Sequence, residues 1–171
     1  MFEIRQADKS DIPDLVGLDD ECFDVYYYKK TKFTKSDFEA YFRRSKSILL
    51  VAMSKSHLVG YVAGTVGSSK GLLLAHLDSI AVSLTERNEG IGSHLLELFI
   101  QEAKQRDCEI VLLEVAEANK EGLDFFSRYG FHKISDLPKY YGRGLDGVLS
   151  HKSRKLRGRC PPQCTLFFYY T

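Results

Sequence analysis

Ile80-Ala81-Val82-Ser83-Leu84-Thr85-Glu86-Arg87-Asn88-Glu89-Gly90-Ile91-Gly92-Ser93 reads as the end of a strand, a polar link, and a glycine-bearing turn that opens a helix. From Gly90 the apolar period becomes helical, with Ile91, Leu95, Leu98 and Phe99 on one side and Glu97, Gln101 and Lys104 on another. The first N–H groups of a helix have no intrahelical acceptor and the helix dipole is positive there, so this junction favours an anion. Glycine lets the backbone approach a phosphate with no β-carbon in the way. No Gly-Lys-Ser/Thr follows, which excludes a P-loop, and no third glycine stands three residues after Gly92, which excludes the dinucleotide fingerprint. A bare Gly-x-Gly between strand and helix is also the mark of a simple tight turn, so its meaning depends on the rest of the chain.

Upstream, residues 2–7 alternate like a half-buried strand, and Ser10-Asp11 beside Pro13 signals a helix start before Leu15, Leu18 and Cys22. Thr34-Lys35-Ser36-Asp37 resembles a capping box ahead of Phe38, Tyr41 and Phe42. Three β-rich runs follow at 48–53, 58–66 and 72–82, which read as a meander. Downstream of the long helix, 108–115 reads as a strand covered on both faces, and Asn119 caps a shorter helix that ends at Tyr129-Gly130. Gly130 suits the left-handed closing position. Strands at 131–135 and 145–151 complete the order β, α, α, β, β, β, α, β, α, β, β.

The chain has 171 residues, 44% of them apolar and 27% charged, which fits one ordinary globular domain over residues 1–150. The start of the chain has no signal-peptide profile, and the longest apolar run, 48–53, is too short to cross a bilayer, so a cytoplasmic protein without membrane contact is expected. Cys22, Cys108, Cys160 and Cys164 lack the two-residue spacing of many zinc knuckles, so no metal site is expected. The net charge of +1 conceals a basic tail. Residues 151–171 carry Lys152, Arg154, Lys155, Arg157 and Arg159 and no acid, then an aromatic finish, Leu166-Phe167-Phe168-Tyr169-Tyr170. The tail is either a solvated linker before a docked or dimer-forming strand, or a contact for nucleic acid or the ribosome.

With these segments in place, residues 2 to about 151 resemble the GCN5-related N-acetyltransferase (GNAT) family. Arg87-Asn88-Glu89-Gly90-Ile91-Gly92 matches that family's Gln/Arg-x-x-Gly-x-Gly/Ala motif for the pyrophosphate of acetyl-CoA, and Ile80-Ala81-Val82 matches the strand before it. Asn119, Phe125, Phe126, Tyr129, Gly130 and Phe131 resemble the second half of the cofactor site. Within the family, the run from Glu114 to Asn119 with Tyr140-Tyr141 and Asp146-Gly147 looks most like the protein N-alpha-acetyltransferases, including those acting on ribosomal-protein alanine. The resemblance implies an α/β (α+β) fold with a mixed, mostly antiparallel sheet of about seven strands, flanked by four helices and splayed at the cofactor site. It implies acetyl transfer from acetyl-CoA to a primary amine, with Ile80 to Val82, Arg87 to Gly92, Ser93, Asn119 and Phe126 at the cofactor. A protein N-terminus is the acceptor it points to; a lysine, a small amine, or no turnover at all in an acyl-CoA-binding module are the alternatives.

An α-amine has a pKa of about 8 against about 10.4 for lysine, so at pH 7 about a tenth of it is neutral and nucleophilic, compared with under ~0.1% for lysine. By resemblance Glu114 is the general base; otherwise it is a structural carboxylate. His76 stands where some relatives carry a catalytic tyrosine; otherwise it is a hydrogen-bonded strand histidine. Tyr26, Tyr28, Tyr140 and Tyr141 occupy positions that hold the acceptor in the family, or they pack locally. Three departures matter. Phe126 replaces a tyrosine that protonates the departing thiolate, Glu89 places an acid where relatives often have a base, and Leu84 replaces a frequent proline.

Overall fold

The computed structural model describes residues 1–23, 32–69, 71–142 and 144–153. Among the described residues there are seven strands: β1 (Phe2–Gln6), β2 (Ser47–Ser54), β3 (His57–Ser69), β4 (Leu72–Val82), β5 (Ile110–Ala116), β6 (His132–Leu137) and β7 (Gly147–Ser153). The α-helices of the described residues are α1 (Ile12–Cys22), α2 (Lys35–Arg43), α3 (Ile91–Gln105) and α4 (Lys120–Arg128). The strands lie in the order β1-β2-β3-β4-β5-β7-β6, and the element order is the one the sequence periods predict. The chain packs as two compact units, Met1–Thr65 with Leu77–Glu102, and Val66–His76 with the segment from Ala103 onward.

In the first unit β1 pairs with β2 and β2 with β3, both antiparallel. Leu15, Phe38, Val51, Tyr61 and Ala63 are fully buried between this sheet and α1 and α2. Thr34 and Asp37 form the reciprocal capping box expected at the start of α2. α1 starts at the expected Ser10-Asp11 signal, with Asp11 at its N-cap and Pro13 in its first turn; a 3-10 turn, Lys9–Asp11, capped by Asp8, leads into it, and Asp11 returns the bond to the backbone of Asp8. Asp11 is also gripped by both guanidinium nitrogens of Arg5, at 2.7 and 2.8 Å. That bidentate bond is the main reason the Asp11 carboxyl is held below the usual carboxylate range.

Helix α3 buries Ile91, Leu95, Leu96, Phe99 and Ile100, a stripe at the three- and four-residue spacing of one helix face. Leu98, which the sequence period places on this face, is only half-buried. Truncating a side chain such as Leu95 to alanine is expected to cost about 2–5 kcal/mol. The helix can lie this close because of Gly60 on β3. A β-carbon at 60 would stand 3.1 Å from Ile91 Cγ2, 3.1 Å from Leu95 Cδ1 and 3.2 Å from the carbonyl oxygen of Ala81.

In the second unit β4 runs parallel to β5 over Leu74↔Ile110, Ala75↔Val111 and His76↔Leu112, as a strand-helix-strand connection allows. β5 is antiparallel to β7, and β7 to β6. Leu74, Ile110 and Leu112 form a small core against which Ile134 packs. Asn119 accepts the Gly122 N–H at 2.9 Å and so caps α4 as predicted, and Gly130 takes a left-handed φ of +79° after it. β7 begins at Gly147 rather than 145 and extends to Ser153, because its ladder with β5 continues to Ile110↔Ser153. Tyr26, Tyr28, Cys160, Cys164 and the tail beyond Ser153 lie outside the described residues. Among the described residues no helix is long and apolar enough to cross a membrane.

The close approach at Gly60 gives a direct test. Gly60→Val is expected to lower the stability of the protein by about 1–3 kcal/mol, because Ala81 is backbone and cannot retreat. Urea unfolding measures this, and an unchanged midpoint would show that α3 does not rest on this position.

Candidate functional site

The turn in the first unit is built by two left-handed residues, Asn88 at φ +68° and Gly90 at φ +81°. Asparagine is the side chain that best tolerates this conformation after glycine. At Gly90 conformation, not space, requires glycine, since a β-carbon there would make only ordinary contacts of 3.7–3.8 Å with the His94 ring. His94 hydrogen-bonds the carbonyl of Gly90 through both its backbone N–H and its Nδ1, which fixes the first turn of α3. Ile91 is buried and anchors that turn, Gly92 and Ser93 are half-buried, and Arg87, Asn88 and Glu89 are exposed. Arg87 leans back so that its Nε donates to the carbonyl of Val82 at 3.4 Å. The turn therefore offers an anion one flexible cation and the amides of a helix start. Glu89 is an exposed acid beside them.

The segment before the turn is also fixed. Ser83 N–H donates to the Val59 carbonyl at 2.9 Å, and a 3-10 turn, Leu84–Glu86, carries the chain to Arg87. Ile80 and Val82 are half-buried and Ala81 is buried against the first unit's core. Ser83 Oγ and Leu84 N–H both donate to Glu21 Oε1 at 2.9 Å. Sequence reasoning missed Glu21, 62 positions from Ser83. The available signal was an acid in the last turn of a helix, where the dipole disfavours it.

The second unit brings together the two residues expected to do chemistry. His76 Nε2 lies 2.8 Å from Glu114 Oε2. The parallel register pairs His76 with Leu112, so Glu114, two residues further along β5, points to the same face. The Glu114 side chain is 6% exposed and the His76 side chain 18%. The second oxygen, Glu114 Oε1, is buried and has no hydrogen-bond partner among the described residues. A buried carboxylate with one oxygen engaged and the other open can accept a proton from a group brought to it, and the imidazole links it to solvent.

Asn119 and Phe126 stand on α4 of the same unit. Asn119 spends its side-chain oxygen on the helix cap. Phe126 is buried, edge-on to Phe125 at 5.2 Å and to Phe131 at 5.6 Å between ring centroids. It is a core side chain with no proton to give. Tyr140 and Tyr141 meet edge to face at 5.0 Å. They pack over Gly147, where a β-carbon would come within 3.2–3.3 Å of both residues. Asp146 fixes their loop by accepting the Lys139 N–H at 2.7 Å through its side chain and the Glu117 N–H at 2.9 Å through its carbonyl. Tyr140 is 44% exposed.

Comparison with known proteins follows the same lines. Residues 12–131 match the family described as Acetyltransferase (GNAT). An uncharacterised N-acetyltransferase of Methanocaldococcus jannaschii is 31% identical over 138 residues, 77% of this chain and 61% of that protein. N-alpha-acetyltransferase 30 of Dictyostelium discoideum is 29% identical over 101 residues, 59% of this chain and 55% of that enzyme. The chain thus spans about three-fifths and about half of these two relatives' lengths. The structure of Arabidopsis thaliana NAA60 in complex with acetyl-CoA superposes with a TM-score of 0.79 at 17% identity, covering 90% of this chain and 99% of that one, a likeness of fold.

His151 on β7, opposite Leu112 and His132, is a residue the sequence reading did not single out. It is buried, its Nδ1 has no hydrogen-bond partner among the described residues, and its pKa is lowered by burial first and by His132 second. Its ring is therefore held neutral in the folded state, while the unfolded chain binds a proton below about pH 6.5. Stability is full above that value and lost as pH falls toward the depressed folded pKa. The thermal midpoint is expected to fall between pH 7 and pH 5, and to fall less in His151→Leu; an equal fall in both proteins would contradict this assignment.

Proposed function

The chain belongs to the acetyltransferase (GNAT) family, and on that premise we propose that it transfers an acetyl group from acetyl-CoA to a primary amine, the α-amine at a protein N-terminus. The observation that carries this reading is the His76–Glu114 pair with its open, buried oxygen. Acetyl-CoA supplies the acetyl group in activated form, as a thioester. Arg87 and the amides of residues 91–93 hold its pyrophosphate, and the left-handed Asn88 and Gly90 give the loop the shape that such a group requires.

The bond formed is from nitrogen to the acetyl carbon, and the bond broken is from that carbon to sulfur. Glu114 Oε1 takes the proton that the amine must lose, and His76 on the other oxygen carries it toward solvent. The acceptor's low pKa keeps this task small, because an α-amine needs to shed its proton against a pKa of about 8. Phe126 supplies no proton, and none is demanded, since a thiol of pKa about 8.5 departs tolerably as thiolate. Tyr140 and Tyr141 hold the first residues of the acceptor. The relative from Dictyostelium discoideum, by its name an N-alpha-acetyltransferase, supports the choice of an N-terminal amine.

The test is thiol release from acetyl-CoA with short peptides bearing free or blocked N-termini, beside lysine-bearing peptides and polyamines. Release with free N-termini is expected. Turnover only with blocked lysine peptides or polyamines would replace the acceptor, and binding without turnover would leave an acyl-CoA-binding module. Glu114→Gln keeps a hydrogen bond to His76 but cannot take the proton, so turnover is expected to drop about a hundredfold, most severely at low pH. Unchanged turnover would remove Glu114 from the chemistry.

A further inference from the structure

The last turn of α1 holds Asp19, Asp20 and Glu21 and no basic residue. Three acids at the negative end of a helix dipole weaken that helix, so their placement needs another reason. Each one captures a different donor. Asp19 accepts the Tyr61 hydroxyl and the Phe33 N–H, Asp20 accepts Lys32 Nζ at 3.0 Å, and Glu21 Oε1 accepts Ser83 Oγ and Leu84 N–H. The next residue, Cys22, donates its thiol to the Val82 carbonyl at 3.2 Å, the same oxygen that Arg87 reaches. Burial pushes the Cys22 thiol pKa up and keeps it a donor. The end of β4 and the link to the glycine turn thus hang from the end of α1.

We propose that Glu21 is a positioning residue for acyl-CoA. By holding Ser83 and Leu84 together it sets the course of the chain into Arg87–Gly92 before the cofactor arrives, which lowers the ordering cost of binding. This rests on the reading of the turn as the pyrophosphate site. The backbone itself supplies an independent way to test it. Ser83 sits at φ −48° and ψ 140°, with the extended ψ favoured by a residue preceding proline, and Leu84 opens a 3-10 turn, where a missing N–H is tolerated. A proline at 84 would fix by its ring what Glu21 fixes by hydrogen bonds. Leu84 is 57% exposed, so the exchange disturbs no core.

The sign of the effect separates this role from plain electrostatics. Removing an acid near an anion site would by charge alone tighten anion binding. Positioning predicts the reverse for Glu21→Ala, and it predicts that Glu21→Gln, whose amide oxygen can accept both bonds, binds as well as the wild type.

The experiment is calorimetric titration of the intact chain with coenzyme A, using the wild type, Glu21→Ala, Glu21→Gln, Leu84→Pro, the Glu21→Ala/Leu84→Pro double variant and Gly90→Val, each with its thermal midpoint. Glu21→Ala is expected to weaken binding about tenfold, and less than about threefold when Leu84→Pro is already present. Equal or tighter binding by Glu21→Ala, with or without a lowered midpoint, would overturn the proposal. So would the same loss in both backgrounds. Gly90→Val is expected to lose coenzyme A. If it binds normally, the reading of the turn fails; if it loses binding while Glu21→Ala does not, only the role of Glu21 fails.

Discussion

Helix α3 can begin where it does because residue 60 has no side chain. Ile91 and Leu95 occupy the space a β-carbon would need, and the Ala81 carbonyl closes the third side. The first turn of the helix therefore packs directly against the backbone of the sheet at Gly60. The left-handed residues at 88 and 90 follow from this, since the chain must turn back sharply from the link to meet a helix start already placed. The close packing sets the turn.

Side chains of two kinds serve this architecture. Some hold backbone: Glu21, Cys22, Asp146 and Asn119 each satisfy donors or acceptors where the chain is irregular, the places where unpaired backbone groups would be costly. Others are left with capacity to spare. Glu114 has an open, buried oxygen, and desolvation of that oxygen is tolerable only because the other makes a bond to His76. The buried acids divide along this line. Asp19 and Asp11 have every oxygen engaged and read as structure; Glu114 does not and reads as chemistry.

Local pattern carried most of the fold. The capping box at Thr34, the cap at Asn119, the left-handed Gly130 and the whole of β4 stand where periods and caps put them. Local rules failed where a distant partner decided. β7 runs past His151 because β5 still offers it partners. The site was legible as residue types and not as geometry. Glu114 and His76 were each a single residue in the sequence, and only the parallel register of β4 and β5 makes them a pair. Glu21 was legible only as an acid in the last turn of a helix, because its partners lie on another element.

The proposed site for the pyrophosphate of coenzyme A is the turn from Arg87 to Gly92 with the helix start after it. Amide chemical shifts of residues 87–93, followed while coenzyme A or pantetheine is titrated into the protein, test it most directly, since pantetheine lacks the pyrophosphate. The account predicts large, saturable shifts at Gly90, Ile91, Gly92 and Ser93 with coenzyme A and almost none with pantetheine. Equal shifts with both ligands, or shifts with coenzyme A that leave these four amides unmoved, would contradict it.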